Sequence, residues 1–173
     1  MPKIYRPNIK NQPVAGGLTR ATVESVANSA IQSNSSTHIT IIPHAYDSVG
    51  TGDWQYRIDN LSWSYFNYNN DNVGDGDSIT YKANLSVGTW TCRIILKKAD
   101  YCGILGVYWS GTKQGEVDCY AAVDEPNAIV NYTITVTSDS AGWDDLKLQL
   151  DGKNASASDY AVELKCISLW KTS

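Results

Sequence analysis

The segment SWSYFNYNN at 62–70 brings Trp63, Tyr65, Phe66 and Tyr68 close together, with Asn67, Asn69 and Asn70 beside them. Rings next to amides have the chemistry of sugar recognition: a ring stacks on the C–H face of a sugar while amides bond its hydroxyls. In an extended strand Trp63 and Tyr65 share one face, and Phe66 and Tyr68 take the other after a switch, so half of the rings lie outside or at a contact. The more ordinary role of the same residues is a sheet face covered by a neighbouring subunit or by the N-terminal arm. Tyr108-Trp109 and the lone Tyr120 carry the same two readings, because alternation buries one of two adjacent rings. The candidate glycan-binding residues are therefore Trp63, Tyr65, Tyr68, Tyr108 and Trp109. The whole chain shares this bias, with 11 Tyr and 6 Trp against one Phe. Nearly every ring has a polar handle, which suits half-buried strands, interfaces and sugar-stacking surfaces.

Catalytic signatures are absent. There is no Gly-x-Ser-x-Gly string for a nucleophile elbow and no phosphate loop, and Gly74-Asp75-Gly76 lacks the third glycine and following helix of a dinucleotide site. A glycosidase needs two opposed carboxylates. Asp118, Asp124, Glu125 and Glu163 supply acids, but sequence does not pair them, and solvated surface is their ordinary role. The expectation is a non-enzyme with no catalytic residue.

Asp71, Asp75 and Asp77 on a glycine-rich turn have the composition of a calcium loop. Val73 at the third position, Lys82 at the twelfth and strands on both flanks exclude the helix–loop–helix type. A looser loop site or a plain polar turn remains. His38 and His44 have no cysteine pair nearby, and Cys92, Cys102, Cys119 and Cys166 show no Cys-x-x-Cys spacing, so they read as buried free thiols. No metal or cofactor is assigned.

These groups need a scaffold, and 173 residues allow one domain with an appendage. A net charge of −4, with 18% of residues charged, argues against nucleic acid or an anionic membrane as partner. No apolar run reaches the ~20 residues of a membrane span, and MPKIYRPNIKNQP lacks the apolar stretch of a signal peptide. The expectation is a chain made in a host cytoplasm.

Composition changes near residue 36. Residues 1–36 read as an N-terminal arm rich in Pro and Gly, with a short helix at about 20–32 carrying Val23, Val26, Ala27, Ala30 and Ile31 at helical spacing. From 37 to 173 the period is two. Ile79, Tyr81, Ala83 and Leu85 share a face, as do Trp90, Cys92, Ile94 and Leu96, then Val130, Tyr132, Ile134 and Val136, then Leu146, Leu148 and Leu150. The last such run places Tyr160, Val162, Leu164 and Cys166 inward. Turn signals fall at 48–53, 72–77, 86–88, 110–115, 139–142 and 151–156. About ten short strands so spaced predict an all-β fold, an antiparallel two-sheet jelly-roll sandwich.

The stretch GTWTCRIILKKADYCGILGVYWSGTKQGEVDCY, with DGKNASASDYAVELKCISLWK near the C-terminus, resembles jelly-roll domains of tailed-bacteriophage structural proteins. Those domains are similar in turn to galactose-binding-type carbohydrate-binding modules, in which an ILGVYWSGT-like hairpin and a terminal Asp-Tyr strand recur. The resemblance covers about residues 37–171 and implies a virion structural protein: a head decoration or cement protein, a head fibre or a tail tip, often trimeric. Residues 1–36 have no counterpart in the carbohydrate modules, and no sugar-contacting residue is carried over.

Extended, the roughly seventeen residues ahead of the helix reach about 55 Å at ~3.3 Å each, well beyond their own domain. Ile4, Tyr5, Ile9, Val14 and Leu18, followed by Val23, Val26 and Ala30 of the helix, are the expected contacts with capsid or sister subunits. The leading expectation is therefore capsid decoration on the virion exterior. The partner would be the major capsid protein or other virion subunits, the anchor the arm, and the assembly a homo-oligomer, with a trimer expected and a dimer not distinguished from it. The alternative is a carbohydrate-binding module of a tail or head fibre, with surface glycans as ligand.

Overall fold

The computed structural model describes residues 37–43, 45–52, 54–59, 62–67 and 74–173, and of 55–59 and 62–67 the strands alone. The arm, its helix at about 20–32 and the contacts assigned to Ile4, Tyr5, Ile9, Val14, Leu18, Val23, Val26 and Ala30 lie outside the described residues. So do His44, Tyr68, Asn69, Asn70 and the first half of the acidic turn.

Among the described residues, eleven strands form two antiparallel sheets packed face to face, the predicted jelly-roll sandwich. They are β1 (His38–Ile41), β2 (Ser48–Thr51), β3 (Trp54–Asp59), β4 (Ser62–Asn67), β5 (Ser78–Leu85), β6 (Gly88–Lys98), β7 (Ile104–Trp109), β8 (Thr112–Asp118), β9 (Glu125–Val136), β10 (Gly142–Leu150) and β11 (Val162–Lys171). The six-stranded sheet runs β3-β4-β11-β6-β9, with β1 also on β11; the five-stranded sheet runs β2-β5-β10-β7-β8. The helical element among the described residues is one 3-10 turn, Ser138–Ser140.

The interior is built by the alternation read from sequence. Ile79, Tyr81, Ala83 and Leu85 of β5 and Leu146, Leu148 and Leu150 of β10 face Trp90, Cys92, Ile94 and Leu96 of β6, all fully buried. Each large apolar side chain so buried contributes about 1.5–3 kcal/mol. Two of the polar handles are satisfied as they enter: the Tyr81 hydroxyl donates to the Pro43 carbonyl at 2.8 Å, and the Trp90 indole N–H to that of Ser86 at 2.8 Å, whereas the Trp109 indole N–H and the Tyr132 hydroxyl are buried without a hydrogen-bond partner among the described residues. At the sheet edge, β9 leaves Val130 and Tyr132 half-buried, and the Tyr132 ring lies against Gly115 of β8.

Two expectations need correction. Cys166 does not face inward. The β11–β6 register shifts between Leu164 and Cys166, so the added residue reverses the alternation, and Ile167 and Leu169 take the interior while Cys166 is half-buried. Cys92, Cys102 and Cys119 are buried free thiols whose burial raises each pKa to about 12, which keeps them protonated and unreactive. The second correction is the segment at 48–53, read as a turn. Residues 48–51 form edge strand β2, paired with Ser78–Thr80 of β5. The strands are close there: a Cβ at Gly50 would meet the Ser78 hydroxyl, which would have to rotate away.

The signal at 110–115 shrinks to two residues. Trp109 pairs with Thr112, and Ser110 (φ 49°) with Gly111 (φ 75°) makes the tight connection of β7 to β8. Two successive positive φ angles match the twist of the flanking strands, at a cost for any residue with a Cβ. The space around Gly111 is open, so a substitution there meets only the backbone penalty. Gly111→Ala should destabilise the domain by about 1–2 kcal/mol in urea denaturation, and Ser110→Asn should stabilise it slightly. Equal midpoints for the two variants would contradict this turn geometry.

Candidate functional site

Because Leu146, Leu148 and Leu150 point inward, period two sends Trp143, Asp145, Lys147 and Gln149 of β10 to the opposite face of the five-stranded sheet. β10 sits in the middle of that sheet, so its outward row gains neighbours on both sides. Trp143 lies opposite Asn84, Asp145 opposite Lys82, Lys147 between Thr80 and Tyr108, and Gln149 between Ser78 and Gly106. The indole of Trp143 is 49% exposed, although a ring of this size is ordinarily much more buried.

The other end of the strip is organised around Asp151, whose carboxylate rests on Gly106, where any side chain would collide with it. Its Oδ2 accepts from the Tyr108 hydroxyl at 2.8 Å and pairs with Lys113 Nζ at 2.8 Å. Its Oδ1 accepts from Gln149 Nε2 at 2.9 Å. Burial works to raise the Asp151 pKa, but the hydrogen bonds from Lys113, Tyr108 and Gln149 prevail and hold it below the usual carboxylate value. Burial and the bond to Asp151 both raise the Tyr108 hydroxyl, which therefore stays a donor. Lys113 also reaches Glu116 at 2.6 Å, and its pKa is raised chiefly by its hydrogen bond to Asp151. Lys147 Nζ lies 4.5 Å from the centre of the Tyr108 ring and donates to Gln149 Oε1 at 2.8 Å.

The result is a strip with an open aromatic ring at one end and a pinned polar cluster with a second ring at the other. Trp143 and Lys147 are four residues apart on one strand, about 14 Å at ~3.4 Å per residue. That is the span of an oligosaccharide, not of a single sugar.

Of the predicted glycan residues, Tyr108 falls within this strip. Trp109, its neighbour, is 1% exposed between the sheets and offers no face to a ligand. Trp63 and Tyr65 lie on β4 of the other sheet, at register positions opposite Ile58 and Leu164 respectively. Tyr120 is half-buried in the β8–β9 loop, its backbone N–H held by Asp118 at 2.9 Å. Three of the acids considered for catalysis have separate partners: Asp118 with Asn154 at 2.6 Å, Asp124 with Lys97 at 2.6 Å, and Glu163 with Lys165 at 3.8 Å. In the acidic turn, Asp77 is buried and its carboxylate accepts from the Gly74 N–H at 2.9 Å. Among the described residues no group of three His, Cys, Asp or Glu side chains is placed to hold a metal.

Trp143 was missed by the sequence reading, which began the β10 pattern at Leu146. Carried back three residues, the alternation that places Leu146 inside places Trp143 outside.

No protein-family model matches the chain, and no curated protein does. Solved structures do. A Paenibacillus xanthan lyase matches with a TM-score of 0.63 at 20% identity, over 77% of this chain but 13% of that one. The CBM36-1 domain of a multidomain xylanase from the hindgut metagenome of Trinervitermes trinervoides matches with a TM-score of 0.55 at 13% identity, over 79% of this chain and 98% of that domain. A carbohydrate-binding module of Cellvibrio mixtus lichenase 5A, solved with cellotriose, matches with a TM-score of 0.55 at 14% identity, over 78% and 97%. None of these is a virion component, so the capsid-decoration reading, its trimer and its virion location rest on the sequence pattern alone. The chain has the jelly-roll fold found in carbohydrate-binding modules.

Proposed function

We propose that this domain is a non-catalytic glycan-binding module that lays a neutral oligosaccharide along β10, on the outer face of the five-stranded sheet. The observation that carries this reading is the exposed indole of Trp143, set on the same strand face as a pinned Tyr108–Asp151–Lys113 cluster. The likeness to carbohydrate-binding modules supports it at the level of fold. Trp143 supplies a face for the C–H side of one sugar. Lys147, Gln149 and Glu116 supply charged and amide partners for hydroxyls further along, and charge-assisted bonds of this kind are the stronger ones. Asp151 acts as an organiser: by holding Tyr108, Lys113 and Gln149 in place, it removes side-chain freedom that a ligand would otherwise have to freeze.

Calorimetric titration with a panel of neutral oligosaccharides, beginning with cellotriose, tests this directly. Trp143→Ala should weaken binding at least tenfold while leaving the melting temperature nearly unchanged, because the ring is on the surface. Undiminished binding by Trp143→Ala, or no binding by the unaltered protein to any member of the panel, would sink the proposal.

Asp151 generates a pH prediction. Its folded pKa lies below the unfolded value near 4, so its contribution to stability is fully present above about pH 4 and is lost as pH falls through the depressed value. Asp151→Asn should cost about 1–2 kcal/mol at pH 7 and progressively less in acid, where the native carboxyl is itself protonated. Urea denaturation of both proteins across the acid range measures this. A penalty that stays constant with pH would contradict the role given to the carboxylate.

A further inference from the structure

The outer face of the six-stranded sheet carries a different set of groups. On β6, Arg93 lies in register with Asn131 of β9 on one side and Ser168 of β11 on the other. One row along, Thr91 lies between Thr133 and Trp170, and Trp170 is opposite His38 of β1. Arg93 is exposed but not loose. Its Nε donates to Asn131 Oδ1 at 3.0 Å, and its guanidinium carbon sits 4.9 Å from the centre of the Trp170 ring.

One flat face of the cation is thus covered by the indole and one edge is tied to the amide. A guanidinium has five N–H donors, and this arrangement uses the one on Nε. The fork of terminal nitrogens remains. Lys82, Lys97 and Lys113 each pair with an aspartate, whereas among the described residues no acid pairs with Arg93. Directly across the strands from it are an amide and a hydroxyl, Asn131 and Ser168; the row on one side holds Thr91, Thr133 and Trp170, and the row on the other is apolar, Ile95 between the exposed Ile129 and Cys166. A fixed, uncompensated fork among neutral hydroxyls is built to receive a planar anion, and the bidentate guanidinium–carboxylate pair adds geometry to charge.

We propose that this face is a second ligand site, in which Arg93 reads the carboxylate of an acidic sugar residue while Ser168, Thr91 and Thr133 meet the sugar's hydroxyls. Trp170 and Asn131 are positioning residues for the guanidinium. The site is separate from the neutral strip on the other sheet, so the domain takes a uronate-bearing chain on one face independently of what the other face holds. Such an ion-paired complex weakens with added salt, as the neutral one does not.

The test is titration of the full chain with trigalacturonate and with its carboxyl-reduced, neutral counterpart. The protein should bind trigalacturonate, with an affinity that falls as salt rises; in the Trp143→Ala background, which removes the neutral strip, it should bind the reduced trisaccharide at least tenfold more weakly. Arg93→Gln should lose at least tenfold towards trigalacturonate. Arg93→Lys, which keeps the charge but not the fork, should lose most of the same margin. Trp143→Ala should leave trigalacturonate binding unchanged, which separates this site from the cellotriose strip whether or not that strip functions. Arg93 is exposed, so the variants should melt as the parent does. The proposal is overturned by absence of trigalacturonate binding, by equal affinity for the reduced sugar in the Trp143→Ala background, or by full binding in Arg93→Gln or Arg93→Lys. It is also overturned if Trp143→Ala abolishes trigalacturonate binding, or if a sulfated galactan is preferred.

Discussion

Leu146, Leu148 and Leu150 of β10 are held at the centre of the interior between the sheets, and that constraint sets much of what the protein presents outside. With the leucines fixed inward, a one-residue slip would expose all three and bury a lysine and a glutamine. The register is therefore locked, and with it the order of groups along the outer face: Trp143, Asp145, Lys147, Gln149. Asp151 continues the row beyond the end of the strand, where Gly106 makes room for it. The aromatic and polar groups of the strip are spaced by the same period that packs the core.

Much of the architecture was legible in that period. The apolar faces of β5, β6 and β10 follow the alternation, because each is a regular strand with one side dry. What alternation cannot reveal is where it breaks. The irregularity between Leu164 and Cys166 leaves no mark in VELKCISL, since leucine, cysteine and isoleucine are all acceptable inside, and only pairing with β6 shows which phase holds. Likewise Ser48–Thr51 has the composition of a turn and becomes a strand because β5 offers it an open edge. The candidate site was less legible for the same reason. Tyr108 and Trp109 were an undecided pair until packing assigned Trp109 to the interior, and Asp151 lies in a turn-like segment, with nothing in its neighbours to announce Tyr108 and Lys113 as partners.

The two outer faces divide the chemistry between them. On the five-stranded sheet, Lys82 pairs with Asp145 and Lys113 with Asp151 and Glu116, Lys147 lies over Tyr108 and is tied to Gln149 without an acid partner among the described residues, and an open indole stands at one end. In the proposed reading, that surface takes a polar, uncharged ligand. On the six-stranded sheet the indole is already covered by Arg93, and the charge is the group left unmatched. One jelly roll can carry both because a sandwich has two outer faces that share nothing but the core.

The most direct measurement is the set of tryptophan indole N–H resonances of the nitrogen-labelled full chain, followed as cellotriose is added. Trp143 should shift, while Trp90 and Trp109, sealed between the sheets, should stay in place. A titration that moves other resonances and leaves Trp143 where it was would contradict a binding strip along β10.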